Sequence, residues 1–521
     1  MKQRPLPVAP EPALPKGLRR YLYVTAAMTG AAIMIVEILG AKMLSPYVGM
    51  SHFVWTAQIA ITLVALACGY YVGGRAADRS QQLSRLYWAI LAAAIYLAIT
   101  VLICQPVAYW CLDFSHLALG TLLASGILFF IPLSLLAMTG PFLVRVITSS
   151  VSGVGSNVGR LTSISTLGSL VGTMLIGYLL IPLFPNSITM YGTALILMLI
   201  CAGYFTVYRR KLAPVLALAI TVGAGFGFKN YLGLSGHYQN FTEKFRGNSH
   251  FGRLQVVDYQ DGSIRYYLND NLIQNTYDPA RKQSSSAFTY LLAELARAYT
   301  TNINDVLCIG LGIGIVPRDF VSHGARVDVV EINPAVVNVA SRFFDFKPES
   351  VHLTIDDGRH FLNRCKKKYD AVILDAFLGD SSPSHLLTRE AFSSMRRVLR
   401  PGGALVINAF ANLESGKDFF AASLEKTLKA VFPGVRMHSN GDGAIFFMAT
   451  DHTDPEFVHR PDLSGVHPDA LPRTEAAVVR LVNAPPEDGR VLTDDYNPVE
   501  FYDAANREDL RRRLARSARD M

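Results

Sequence analysis

Before about residue 230 the chain is written in long apolar runs, and after it in short alternations of apolar and polar positions. The runs fall near residues 21–43, 54–74, 86–106, 117–138, 161–184, 187–207 and 212–228. A helix that crosses a hydrocarbon core needs roughly 20 apolar residues, which the first six supply; the seventh is shorter and Gly-rich. The pattern predicts a multi-span α-helical membrane domain over 21–230 with about seven spans. Beyond it, "FGRLQVVDYQDGSIRYYLNDNLIQ" alternates around the turn signals "QDGS" and "NDN", as hairpins of a small antiparallel sheet do. That sheet is expected over 245–280. A helix follows in "SSSAFTYLLAELARAY", with Ser284 or Ser285 near its N-cap.

From Asp305 the period changes again. "DVLCIGLGIGIVPRDFVSHGARVDVVEINPAVV" reads as strand, Gly-rich turn, helix, strand, acid, helix, and the same rhythm continues through "VHLTIDDGRHFL" and "YDAVILDAF". Strands alternating with helices predict a parallel, doubly wound sheet, so a Rossmann-like domain of class I methyltransferase type is expected over 281–450. Residues 451–521 form a C-terminal extension, and the Pro-rich, basic residues 1–20 read as a disordered tail.

Composition sharpens the first half more than the second. Mean hydropathy of +0.26 is too high for an ordinary soluble chain of 521 residues, so apolar excess has to be concentrated in the spans. The net charge of +8 is not gathered into a basic stripe with aromatics, which argues against a nucleic-acid partner. Its Arg and Lys residues recur in alternate loops, at Arg75, Arg79 and Arg85, at Arg145 and Arg160, and at Arg209, Arg210 and Lys211. The loops between carry none, which puts the N-terminus and the basic loops on the cytoplasmic side of a cell membrane. Seven full spans would leave the second half outside and six would leave it inside. The stretch "GGRAADR" is like the G-x-x-x-D-R loop of major-facilitator transporters, but the membrane half is too small for a twelve-span carrier. Glu37 in the first span fits a buried pair with Lys42 or another base, or a role with a cationic substrate. Six cysteines without CxxC or metal spacing read as reduced, with a Cys104–Cys111 disulfide as the minor alternative.

The chemistry sits where strands end. Gly310, Gly312 and Gly314 follow the apolar strand 306–309 as G-x-G-x-G, a turn in which the backbone can approach a ligand closely. About 20 residues on, Glu331 ends the next strand, placed to accept hydrogen bonds from ribose hydroxyls. Asp357, before Gly358, could read an adenine amino group, and it could equally cap the helix that follows. Asp375 ends "AVILD" on the same edge, where ligands of open α/β sheets bind, as either a loop cap or the working carboxylate of an enzyme.

Together "LCIGLGIG", "VVEIN", "IDDG", "ILDAF", the hairpin "LNDNLIQ" and "DDYNPVEFY" resemble the polyamine aminopropyltransferases, of which spermidine synthase is the type, over residues 250–505. The apolar half looks like their membrane-fused branch. The resemblance implies transfer of an aminopropyl group from decarboxylated S-adenosylmethionine, a co-substrate and no cofactor or metal, to putrescine or a related amine, giving a spermidine-type polyamine and methylthioadenosine. It implies Asp375 as proton acceptor and Gly310, Gly312, Gly314, Glu331, Asp357 and Gly358 around the donor. On the acceptor side it offers Gln274, Asp380, Asp495 and Tyr496, with Asp494 or Glu500 as further sources of charge. It implies a homo-oligomer and, because the donor is made in the cytoplasm, a cytoplasmic soluble half. Several acceptor positions of the family differ: Ile313 replaces an Asp, Phe288–Tyr290 replace Tyr-His-Glu, Gly252 replaces a Gln, and "DAFLGD" alters D-x-x-D. A membrane-anchored methyltransferase uses the same sheet, and a sensor or transporter that binds its ligand without turnover would not need the missing contacts.

Overall fold

The computed structural model describes residues 14–49, 52–114, 117–148, 154–210, 240–260, 262–377, 383–441, 443–484, 489–502 and 506. Two compact units result: Met1–Val48 with His52–Ser235 form one, and Gly236–Met521 belong to the other.

In the first unit six helices are long and apolar enough to cross a membrane: α1 (Lys16–Val48), α2 (His52–Arg79), α3 (Leu83–Phe114), α4 (Leu117–Ile147), α5 (Val154–Leu180) and α6 (Asn186–Arg209). The seventh apolar segment lies outside the described residues. Helix α1 starts at Lys16, just after Pro15 and inside the stretch expected to be a disordered tail, because the basic "KGLRR" leads straight into the first apolar run and its single Gly17 in the first turn does not stop it. Helices α1 and α5 touch through small residues. A Cβ on Gly168 would stand 2.1 Å from the Ala27 carbonyl oxygen, and one on Gly172 2.6 Å from that of Ala31. In lipid, where burial of apolar surface gains little between helices, such backbone contact is what holds a pair together. Among the described residues Glu37 takes no ion-pair partner, Lys42 included. All six cysteines are free thiols, so Cys104 and Cys111 form no disulfide.

The second unit opens with an antiparallel sheet, β1 (Phe241–Ser249), β2 (Gly252–Tyr259), β3 (Ile264–Asn269), β4 (Leu272–Asp278) and β5 (Gln283–Ser284), paired in chain order. It is wider than the 245–280 expected. Helix α7 (Ala287–Tyr299) begins after Ser286, one residue later than expected, because Ser284 is the last strand residue and Ser285 still donates its N–H to Thr276 O.

The main sheet has eight strands in the order β13-β11-β12-β10-β9-β6-β7-β8. Five are parallel: β6 (Asp305–Ile309), β7 (Arg326–Glu331), β8 (His352–Ile355), β9 (Tyr369–Leu374) and β10 (Leu399–Phe410). Strands β11 (Gly434–Ser439), β12 (Ala444–Thr450) and β13 (Leu481–Val482) add antiparallel pairings, so part of the C-terminal extension joins the sheet. Strands β6 and β9 are buried at every position, as strands covered by helices on both faces must be. Two apolar clusters result, one containing Val306, Cys308, Val329 and Ile373, the other Leu307, Ile309, Val372 and Leu374. Those alternate residues of the same strands face opposite layers. The connecting helices are α8 (Ile315–Ser322), α9 (Pro334–Phe343), α10 (Gly358–Arg364), α11 (Arg389–Val398) and α12 (Phe419–Lys429); α13 (Leu471–Val479) precedes β13.

The amino-terminal edge of the sheet is tied by ions. Asp305 accepts from Arg326 Nε at 2.9 Å and Nη2 at 2.8 Å, and from Arg400 Nη2 at 2.8 Å. Arg400 Nη1 also donates to Asp370 at 2.7 Å, and Lys367 Nζ to Asp328 at 2.9 Å. Hydrogen bonds from Arg326 hold the Asp305 carboxyl well below the usual carboxylate range.

Candidate active site

Strand β6 has β7 on one side and β9 on the other, so the helices after β6 and β9 leave on opposite faces and a crevice opens between the strand ends. A cavity lies there, lined from β6 by Ile309, Gly310 and Gly312, from β7 by Glu331 to Asn333, from β8 by Asp356 to Gly358, from β9 by Asp375 to Phe377, and from β10 by Asn408 and Phe410. The small sheet and α7 close it with Phe251, Ile273, Gln274, Asn275 and Phe288.

The glycines of the turn do three different things. Gly310 (φ +98°) brings β6 and β9 together, since a Cβ there would be 2.1 Å from the Asp375 carbonyl oxygen. Gly312 (φ +54°) faces the cavity with nothing nearer to its Cβ position than Asn275 Nδ2 at 3.7 Å. Gly314 (φ +82°) is outside the lining; a Cβ would strike the Phe346 ring at 2.4 Å. Only Gly312 of the three therefore leaves open room for a ligand beside the backbone.

Glu331 is buried at 7 % exposure, and each of its oxygens already accepts a backbone N–H: Oε2 from Leu311 at 2.9 Å, Oε1 from Asn333 at 2.8 Å. Burial pushes its carboxyl above the ordinary range and the backbone donors pull it back. Each oxygen keeps a lone pair for a further donor from the cavity. Asp357 caps α10, Oδ1 accepting from Arg359 N at 2.9 Å and His360 N at 3.0 Å, while Oδ2 meets His385 Nε2 at 2.8 Å. Burial alone would raise this carboxyl, but the His360 amide and His385 hold it low. Capping and cavity lining thus belong to one residue.

Asp375 differs. Its N–H donates to Ile309 O at 3.0 Å, and its carboxyl takes one hydrogen bond, from Asn408 Nδ2 to Oδ1 at 3.0 Å. Desolvation pushes it up to about 6, with Asn408 pulling the other way. Asn408 is 3 % exposed, and its Oδ1 has no partner. A carboxylate with one donor and a poised proton affinity, beside an unfilled acceptor, is arranged to take a proton from a bound group.

Gln274 lines the same cavity. Asp495 and Tyr496 are exposed and outside its lining; the Tyr496 hydroxyl accepts from Arg490 at 3.0 Å. Asp494 is occupied by Thr388 at 2.6 Å and Arg359 at 2.9 Å. Asp380 lies outside the described residues. Sequence reasoning missed Asn408 and His385. For Asn408 the signal was present, a polar residue inside the otherwise apolar strand "ALVINAF", whereas His385 sits in a loop that no periodicity orders.

The strand order, the Gly-rich turn and the acid after it define an α/β sheet of class I methyltransferase type. Residues 286–439 match the family described as spermine/spermidine synthase domain. The chain is 25% identical over 284 residues to a probable polyamine aminopropyl transferase of Bifidobacterium longum, covering 49% of this chain and 61% of that protein. It is 29% identical over 206 residues to a polyamine aminopropyltransferase of Vibrio vulnificus, covering 38% and 69%. It is also 34% identical over 140 residues to an N-terminal histidine N-methyltransferase of Emericella nidulans, covering 26% and 24%. The chain therefore spans 61% of the first of these relatives and a smaller part of the third.

Proposed function

We propose that the soluble unit transfers the aminopropyl group of decarboxylated S-adenosylmethionine to a primary amine. Glu331 would receive the ribose hydroxyls, Asp357 and Gly358 the adenine, and Gly312 would leave room for the donor beside the turn. The observation that carries the reading is Asp375, a lone carboxylate with proton affinity near neutrality at the strand end next to that donor edge. The protonated amine gives its proton to Asp375, because an ammonium has no lone pair for attack. The freed nitrogen forms a bond to the carbon beside sulfur, and the C–S bond breaks with its electron pair going to sulfur. The sulfonium becomes the neutral thioether methylthioadenosine, and Asp375 returns its proton to solvent. Holding nitrogen and carbon in line is the larger contribution of the site. The names of the Bifidobacterium and Vibrio relatives support this reading.

The test is release of methylthioadenosine by the purified full chain from decarboxylated S-adenosylmethionine and a panel of amines. Turnover with at least one amine is expected; donor binding without turnover with any of them would refute the reading and favour a sensor. The methyltransferase likeness supports a second reading, which S-adenosylmethionine in the same assay tests by release of S-adenosylhomocysteine. For the membrane unit the proposal is a multi-pass anchor in the cell membrane with the soluble unit in the cytoplasm. The basic loops and the even number of spans among the described residues support it. A reporter fused to the C-terminus and active only in the cytoplasm tests it.

A further inference from the structure

The turn after β6 brings no side chain to the space beside Gly312. Leu311 and Ile313, on either side of it, are packed in the apolar cluster with Val306 and Cys308 and lie outside the cavity lining. The group that reaches that space comes from the small sheet. Asn275 of β4, 5 % exposed, lines the cavity with one end of its amide 3.7 Å from where a Cβ on Gly312 would stand. Among the described residues nothing bonds that end. The other end meets Ser284 Oγ at 3.3 Å, and Ser284 Oγ also lies 3.2 Å from Thr276 O and accepts the Ser286 N–H at 3.1 Å. A hydroxyl has one hydrogen, so Ser284 can serve Asn275 and Thr276 as acceptors only by sharing it. Turning the Asn275 amide over removes the conflict, and the hydrogen-bond network is what decides such an orientation. Nδ2 then donates to Ser284 Oγ, the hydroxyl donates to Thr276 O, and Oδ1 faces Gly312.

We infer that Asn275 Oδ1 receives the terminal ammonium of the donor's aminopropyl tail, and that this contact favours a tail without a carboxylate. The inference rests on the aminopropyltransferase reading above. With the ribose at Glu331 and the adenine at Asp357, the nucleoside occupies the β7 and β8 side of the crevice, and the groups on its sulfur extend toward the ends of β6 and β9. Asp375, after β9, stands by the attacking nitrogen, and the tail has the open side of Gly312. An ammonium that leaves water needs an acceptor where it arrives. The amide oxygen supplies one. A carboxylate on the same tail would meet that oxygen without a donor in return.

The experiment measures binding to the full chain in detergent micelles by calorimetry, with three ligands that share a neutral sulfur. Methylthioadenosine has no tail, decarboxylated S-adenosylhomocysteine adds the aminopropyl tail, and S-adenosylhomocysteine adds the tail with its carboxylate. The decarboxylated ligand should bind about ten- to a hundred-fold more tightly than methylthioadenosine, the worth of a hydrogen bond to a charged group, and more tightly than S-adenosylhomocysteine. Asn275→Ala should remove most of that ratio and leave methylthioadenosine binding near that of the natural chain. Asn275→Asp, which keeps an acceptor and adds charge, should raise the ratio. A merely structural Asn275 would weaken the three ligands alike, and that result, or a ratio unmoved in both variants, overturns the inference. Tightest binding of S-adenosylhomocysteine by the natural chain also overturns it, since that ligand calls for the N–H toward the cavity. Turnover by the same preparation, followed by methylthioadenosine release, leaves the aminopropyl reading standing beside any of these results. Binding of none of the three ligands overturns both.

Discussion

The two edges of the main sheet carry the same residue type in opposite states. At the amino-terminal edge Asp305 and Asp370 are bound by Arg326 and Arg400, and their carboxyls sit below the ordinary range. At the carboxyl edge Glu331 and Asp375 are raised, because burial there is not answered by a cation, while Asp357 on the same edge is held low by its cap donors and His385. The strands run from one state to the other within five or six residues, from Asp305 to Ile309 and from Asp370 to Asp375. An acid paired with guanidinium groups has little left to offer a ligand, and a buried acid with few donors costs stability until a ligand arrives. The contrast sets an ion-paired edge against the edge that lines the cavity, without reference to any relative.

The largest way to break the contrast is Asp375→Asn. It removes the proposed proton acceptor and keeps the shape, so kcat should fall by about 10²–10⁴-fold, the usual worth of a positioned base, while donor affinity measured by calorimetry changes little. Retained turnover would remove Asp375 from the chemistry. The same variant tests the stability side. The native carboxyl near 6 lies above its unfolded value of about 3.9, so the native state binds the extra proton and loses stability as pH rises through that window. Asp375→Asn escapes this loss. At pH 7.5 it should be more stable by on the order of 2–3 kcal/mol, a difference that vanishes below about pH 4. Trp55, Trp88 and Trp110 are the chain's three tryptophans and all lie in the first unit. Hydrogen exchange of the β6 and β9 amides is therefore the measurement that reports the right unit.

Asp305→Ala is the converse at the other edge. It is expected to cost about 1–3 kcal/mol, kept modest because Arg326 and Arg400 can turn to solvent once unpaired. Its depressed carboxyl contributes stability that is present above its unfolded value and lost as pH falls below about 4. Activity per folded molecule should not change. A fall in kcat comparable with that of Asp375→Asn would show that the two edges are not separable.

The binding edge was more legible in the sequence than the structural one, and for a definite reason. Glycines and acids directly after apolar strands are local signals, and "LCIGLGIG", "VVEIN", "IDDG" and "ILDAF" all converge on one cavity. The ion network joins residues 305, 326, 367, 370 and 400, whose partners are set by strand order and by no spacing along the chain. The same holds for Asn408, which becomes the neighbour of Asp375 only because β10 pairs with β9 in a parallel register that puts Ile407 beside Leu374. Gly314 shows the reverse error. Its place in G-x-G-x-G suggests ligand approach, but the Phe346 ring, set by the loop after α9, is what excludes a side chain there. The six long apolar helices were legible because length and apolarity decide them, and the start of α1 at Lys16 was not, since charge near a helix end is compatible with either helix or coil.

The smallest effect isolates how Asp375 is tuned. Activity should depend on the ionised carboxylate, so log kcat/KM is expected to fall with unit slope below about pH 6 and to be flat above it until the amine itself titrates. An ordinary aspartate would place that limb near 4. Asn408 donates to Oδ1 and favours the charged form, so Asn408→Ala removes the one hydrogen bond that holds the limb down. The limb should then move to higher pH, with kcat at pH 8 lowered by no more than about ten-fold, the usual worth of one neutral donor near 1 kcal/mol. Asn408→Asp should move it further, because two carboxylates in contact cannot both ionise. A purely structural Asn408 would lower kcat equally at every pH and leave the limb where it was, and that outcome would detach the strand-end pair from the mechanism.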